Sequence, residues 1–158
     1  MCMLMTQTAI RTLIEHGETD SIAFINTLNR TIYKNAQRMK ADKTLTFALI
    51  NYEDRQVKIV GQHEEMLVVR KDGQVGRVDT LELGFPIGLE ANITAWVAAA
   101  TVTLDPGDGI VLYTDGITEA ANLNNELYGI ERLCAVISQH WNQTAEKIKQ
   151  AVITDVTR

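Results

Sequence analysis

The feature that most limits how this chain can fold is the placement of its two hydrophobic periods. Apolar residues at spacings of three and four occur near the two ends. Between Thr44 and Thr114 the pattern is instead a succession of short strands with no helix between them. The order ααββββββαα lacks the βαβ alternation of a doubly wound parallel sheet, and it predicts an α+β fold with helix pairs covering antiparallel sheet. The 158 residues contain no internal repeat, low-complexity tract or linker, so a single domain over residues 1–158 is expected.

Local signals define the elements. Residues Leu4 to His16 read as a helix whose stripe is Ile10, Leu13 and Ile14, with Arg11 and Glu15 off it and Gly17 as the terminating glycine. Asp20 or Ser21 caps a second helix with the stripe Ile25, Leu28, Ile32, Ala36 and Met39. So short a loop makes the two helices antiparallel neighbours, either a packing layer over a sheet or a switch or dimer element. Strands are expected at "TLTFALINY", "QVKIV", "MLVVRK", "QVGRVD", "AAATVTL" and "GIVLYT". Asp72-Gly73 marks a hairpin, "DPGD" a further turn, and "LGFPIGLE" part of a longer connection. Two more helices come next, with stripes Ile130, Leu133, Cys134, Ile137 and Ile148, Val152, Val156, and with Asn142 or Thr144 as a cap.

Composition excludes several function classes. Hydrophobic residues are 46% and charged residues 22%, and the net charge of −5 gives no reason to expect nucleic acid or an acidic membrane surface. No basic cluster interleaves with aromatics, and no run approaches the roughly 20 apolar residues of a membrane span. Cys2 falls in an N-terminus expected to be mobile, and Cys134 reads as a small core residue; neither suggests zinc or a disulfide framework. The start "MCMLMTQTAI" lacks a charged region and a cleavage pattern, so a cytoplasmic protein is expected.

The chemistry-bearing stretch is "DGIVLYTDGITEA". The apolar run Ile110-Val111-Leu112-Tyr113 stops at Thr114-Asp115-Gly116. Asp-Gly is a strong turn signal by itself, which is how Asp72-Gly73 reads. After Gly116, however, there is no second alternating strand; the chain becomes polar and irregular through Asn125. Here a buried strand is expected to deliver a carboxylate to a loop, with a glycine leaving room beside it. Such a placement suits a hard divalent cation and its waters. The turn reading and the metal reading both stand on these residues.

"LDPGDGIVLYTDGITEAANLNNELYGIERL" closely resembles the signature of bacterial SpoIIE-type phosphatases, the sigma-regulator branch of the metal-dependent PPM family. "MLMTQTAIRTLI", "LNRTIYKN", "KTLTFALINY", "GQHEEMLVVRKDG" and "LGFPIGLE" fall in the order that domain shows, and "GQHEE" resembles the form of cyanobacterial members. The resemblance implies an αββα sandwich. It also implies two Mg²⁺ or Mn²⁺ ions held by aspartates, which activate a water to attack phosphoserine or phosphothreonine without a phosphoenzyme. Asp115 matches a family metal ligand, with Thr114 and Gly116 shaping its turn. Asp108 and Glu119 match further signature positions and are expected to be structural. The substrate implied is a phosphorylated regulator of the anti-sigma-factor antagonist type.

Two departures qualify the resemblance. The family's aspartate-valine-x-glycine-histidine-glycine motif, which precedes the first helix, does not occur, nor does its aspartate-aspartate pair after the last long helix. Asp115 alone remains of the expected metal aspartates, and one carboxylate cannot hold two ions roughly 4 Å apart. The expectation is therefore the central part of a phosphatase domain, truncated at both ends and inactive as it stands, with exposed sheet edges and N-terminal helices that favour a homodimer or larger oligomer. The competing expectation is a non-catalytic interaction or dimerisation module on the same scaffold. His63 in "GQHEE" is a weak general-acid candidate, His16 and His140 lie near helix ends, and "GFPIGLE" lacks the strand-to-helix setting of a phosphate loop.

Overall fold

A computed structural model describes residues 2–40 and 44–157; Met1, Arg158 and residues 41–43 lie outside them. Helix α1 (Cys2–Glu15) includes Cys2, where the sequence suggested a loose terminus. It closes as Gly17 predicts. Gly17 takes φ +80°, its N–H donates to the Ile14 carbonyl, and the Glu18 N–H reaches back to that of Leu13. These paired bonds satisfy two carbonyls that the helix end leaves without partners. Of the two cap candidates for α2 (Ser21–Met39), Asp20 serves: its Oδ1 accepts from the N–H groups of Ile22 and Ala23 at 2.9 and 3.2 Å.

The chain divides into two compact units, Met1–His63 with Thr80–Thr103 and Glu64–Asp79 with Leu104–Arg158. In the first, β1 (Phe47–Glu53), β2 (Gln56–Gln62) and β5 (Ala99–Thr103) form an antiparallel sheet in the order β1-β2-β5. Asp54 and Arg55 connect β1 to β2, both at positive φ, as a two-residue hairpin of the twist-matched kind demands. Ile25, Leu28 and Ile32 of α2 pack with Val60, Ile87, Ile93 and Val97, and Met5, Ala9, Ile10 and Leu13 of α1 add to them. Two stripe members are corrected. Ile14, 61% exposed, is turned one residue off the face that Met5, Ala9 and Leu13 share, and Met39, in the last turn of α2, lies beyond its packed part.

Two motifs of the sequence meet in this unit. A Cβ on Gly84 of "LGFPIGLE" would lie 2.5 Å from the Gln62 nitrogen and 2.7 Å from the Gly61 Cα of "GQHEE", so both glycines serve a close approach of backbones. Asn29 of α2, wholly buried, fixes the same connection: its Nδ2 donates to the Glu90 carbonyl and its Oδ1 accepts from the Gly88 N–H, each at 2.9 Å. The sequence showed Asn29 only as a polar residue within an apolar face, a position that requires an internal hydrogen-bond partner.

In the second unit, β3 (Met66–Val69) is central and buried throughout, between β4 (Val75–Val78) and β6 (Gly109–Val111), all antiparallel. Asp72 lies on the exposed β3–β4 loop, where its carboxylate accepts from the Gln74 N–H, so this Asp-Gly is a turn as expected. Helices α4 (Ile130–His140) and α5 (Ala145–Val156) bury Leu133, Ile137, Ile148 and Val152 with Leu67 and Val69 of β3. Thr144, the second of its two cap candidates, caps α5 through the Lys147 N–H. Strands β5 and β6 are consecutive in sequence but do not form a hairpin, because one pairs with β2 and the other with β3.

The turn before β6 is built around Asp108. Its side chain is 4% exposed and accepts from Arg70 Nη1 at 2.8 Å, the Lys71 N–H at 2.8 Å and the Asp105 N–H at 3.0 Å. Asp108 is therefore structural, as expected. The Asp105 N–H, the Arg70 guanidinium and the Lys71 N–H hold its carboxyl below the usual carboxylate range, against the opposing effect of burial.

Two outcomes are expected. In Asn29→Leu the Gly88 N–H and Glu90 C=O lose their partners, which should lower the unfolding free energy by roughly 2–4 kcal/mol in urea titration. The Asp108 stabilisation is complete above the ordinary carboxylate range and is lost as pH falls through its depressed folded pKa. Thermal melts from pH 7 to pH 3 should thus fall less steeply in Asp108→Asn than in the wild type.

Candidate functional site at the end of strand β6

Strand β6 ends at Val111, three residues before the Thr114 that the sequence suggested. Leu112 to Thr114 continue without ladder partners, and Leu112 is 56% exposed. The strand itself is half-buried, a correction to the expected buried strand, because it flanks β3 on one side only. Asp115 then opens a one-turn helix, α3 (Asp115–Thr118), rather than a hairpin. The Ile117 N–H donates to the Thr114 carbonyl at 3.0 Å and the Glu119 N–H to the Asp115 carbonyl at 2.7 Å. Thr114 and Gly116 thus flank Asp115 within one tight turn, all three exposed.

The Asp115 carboxylate has neither a hydrogen bond nor an ion pair among the described residues. Its neighbours in sequence explain the second fact: no Lys or Arg lies between Arg77 and Arg132. Two acids of that interval borrow cations from elsewhere, Asp108 from Arg70 and Glu131 from Arg77 at 3.5 Å. Asp115, Glu119 and Glu126 pair with no cation among the described residues.

Segment 118–129 folds back on this turn. Asn122 organises its tip, accepting from the Asn124 and Glu126 N–H groups while its Nδ2 donates to Glu126. The Tyr128 N–H donates to the Ala120 carbonyl at 2.8 Å and the Gly129 N–H to the Thr118 carbonyl at 2.9 Å. Tyr128 is buried, and its hydroxyl donates to Asp155 Oδ2 at 3.0 Å. Burial first, then that carboxylate, push the phenol up to about 12, so it remains a donor at neutral pH. Arg132 donates to the same Oδ2 at 2.8 Å and lies 4.8 Å from the Tyr128 ring centroid. The sequence showed Tyr128 and Arg132 only as signature positions and did not bring Asp155 to them.

Other candidates resolve simply. The His63 ring is exposed, and its backbone N–H and carbonyl are both bonded by the buried Thr80 hydroxyl. His140, in the last turn of α4, contacts Gln143 through Nδ1 at 3.0 Å, and His16 lies exposed beyond α1. Cys134 is half-buried in the α4 packing and burial pushes its thiol up, as for an unreactive cysteine. Among the described residues no three His, Cys, Asp or Glu side chains gather where they could hold a metal ion. The described residues alone therefore do not build the two-metal centre that the resemblance implies. No helix among them is long and apolar enough to cross a membrane.

Comparison with known proteins agrees with this architecture. Protein IcfG of Synechocystis sp. is 26% identical over 114 residues, which are 70% of this chain and 17% of that protein. The SiaA-PP2C domain of Pseudomonas aeruginosa superposes with a TM-score of 0.76 at 19% identity, covering 98% of this chain and 61% of that one. The RsbU and RsbW domains of a Mycobacterium tuberculosis protein give a TM-score of 0.68 at 16% identity, covering 98% of this chain and 42% of that one. The chain thus spans less than two thirds of each of these three, and over the part it spans it has the fold of a PP2C-type phosphatase domain. The model of the family described as Stage II sporulation protein E (SpoIIE) matches residues 1–158, the whole of this chain, and the chain belongs to that family.

Proposed function

We propose that residues 1–158 are the central part of one SpoIIE-type phosphatase domain that removes phosphate from phosphoserine or phosphothreonine in a signalling protein. Asp115 contributes one carboxylate to its divalent metal centre, with Thr114 and Gly116 shaping the turn that presents it, and the remaining ligands come from flanking sequence. The observation that carries this reading is the state of Asp115: exposed, first in the turn after β6, and without a hydrogen bond or cation partner among the described residues. A carboxylate left uncompensated in a stretch devoid of Lys and Arg favours a hard cation, and Mg²⁺ or Mn²⁺ bound there would supply charge neutralisation at a phosphoryl group.

The substrate class is inferred from the company the fold keeps. A solved structure of similar fold carries RsbU and RsbW domains in one protein, which supports a phosphorylated regulator of the anti-sigma-factor antagonist type as substrate; a cytoplasmic site of action is part of the same proposal. Exposed Met3, Leu4 and Ile14 on α1, and a β6 paired with β3 alone, support association of two copies through the N-terminal helices or a sheet edge. A second reading, a non-catalytic interaction module on this scaffold, is favoured by one observation: the described residues hold no cluster of metal-ligating side chains.

Activity separates the two readings. With its natural flanking sequence the protein should hydrolyse a phosphoserine peptide in the presence of Mn²⁺, and Asp115→Asn should cut that rate roughly 100-fold or more. The 158-residue chain alone should show no Mn²⁺-dependent turnover. A flanked protein that binds Mn²⁺ but hydrolyses nothing would support the module, and full activity in Asp115→Asn would remove Asp115 from the metal centre.

A further inference from the structure

We infer that Asp155, near the end of α5, is a positioning residue for the Asp115 turn, acting through Tyr128 and Arg132. The functional meaning of this role rests on Asp115 being the metal-facing carboxylate; its geometry does not.

The connection runs from side chains to backbone. Asp155 Oδ2 accepts from both the Tyr128 hydroxyl and Arg132 Nε, and the Asp155 carbonyl accepts from Arg132 Nη2 at 3.2 Å. The guanidinium lies over the phenol ring, so the three side chains hold one another in place. Tyr128 and its neighbour Gly129 then bond backward to Ala120 and Thr118, the residues that close α3. Ile117 and Ala120 pack on the same core as Tyr128, which leaves the turn little freedom to tilt away. Asp115 is the first residue of that turn, and its carbonyl is tied to the Glu119 N–H. An exposed carboxylate has no packing of its own to fix its direction. Its aim depends on the turn beneath it, and the turn is anchored at Tyr128.

Such a role accounts for a polar cluster at this point. Tyr128 is buried, and a phenylalanine would fill the same space without requiring a partner. The hydroxyl, the arginine and the aspartate together join a loop, the first turn of α4 and the last turn of α5. Hydrophobic contact alone would permit the loop to slide, whereas a shared carboxylate oxygen sets one register.

Amide hydrogen exchange tests this without any metal. In Tyr128→Phe and in Asp155→Ala, the Glu119, Tyr128 and Gly129 amides should exchange at least about fivefold faster than in the wild type. The Leu133 and Ile137 amides in α4 should keep their protection. The double variant should be no faster than Asp155→Ala alone, since that change already removes the partner of the Tyr128 hydroxyl. Asp155→Asn, which keeps an acceptor, should recover part of the protection. Unchanged exchange at the three loop amides would overturn the inference, and so would a loss shared equally by Leu133 and Ile137, which would mark Asp155 as merely stabilising the fold. A parallel titration with Mn²⁺ reads the metal assignment separately. Paramagnetic broadening at the Gly116 amide in the wild-type flanked protein, weakened in Tyr128→Phe, is the expected result. No broadening there in the wild type would end the metal assignment, while the exchange data would still decide the role of Asp155.

Discussion

Three donors converge on the Asp108 carboxylate, and the second unit takes its form from that convergence. Arg70 and Lys71 come from the end of the central strand β3, and Asp105 from the turn that leads into β6. By binding all three, one nearly buried side chain sets where β6 begins against β3. The pairing Val69↔Gly109, Val68↔Ile110 and Leu67↔Val111 continues from that start. The register in turn determines where the ladder ends, at Val111, and therefore where Asp115 emerges. The Trp141 indole donates to the Gly107 carbonyl in the same turn, so the α4 end of the unit is tied to it as well. A charged group so enclosed is stable only when it is hydrogen-bonded and paired, and here both of its oxygens accept, one of them from an arginine.

Much of the fold was legible because it rests on local chemistry. Gly17, Asp20 and Thr144 mark helix ends in the sequence and do so in the structure, since capping depends on residues within a few positions of each other. The six strands were legible for the same reason, and Asp72 was separable from Asp115 by the residues on the C-terminal side of each: an alternating strand after one, an irregular polar segment after the other. The long-range features were hidden. Nothing in "AAATVTLDPGDGIVLYT" reveals that its two strands pair with different sheets. Asn29 does not announce that it bonds to residues some sixty positions away. The end of β6 at Val111 was missed because Leu112 and Tyr113 are apolar, and apolar residues continue a strand pattern whether or not a ladder partner exists.

The site was legible in part and for a different reason. Asp115, Thr114 and Gly116 stood out through a family signature, which names positions without giving their contacts. The structure shows a half-buried strand that stops at Val111 and a one-turn helix opened by Asp115, where a buried strand running to Thr114 was expected to deliver the carboxylate to a loop. It adds the Tyr128–Arg132–Asp155 cluster, drawn from three separate stretches. A carboxylate on an exposed turn costs little to keep charged, whereas a buried one would need partners of its own, as Asp108 has. The two aspartates of "GDGIVLYTDG" therefore divide the work. One is neutralised internally and builds the turn, and the other is left uncompensated at the surface.

That division makes the position of a bound ion the most direct measurement. Crystals of the longer, flanked protein proposed above, grown in Mn²⁺ and measured at the manganese edge, should show an anomalous peak about 2.0–2.2 Å from an Asp115 carboxylate oxygen and none at Asp108. A peak at Asp108, or manganese bound elsewhere while Asp115 stays free, would contradict the account.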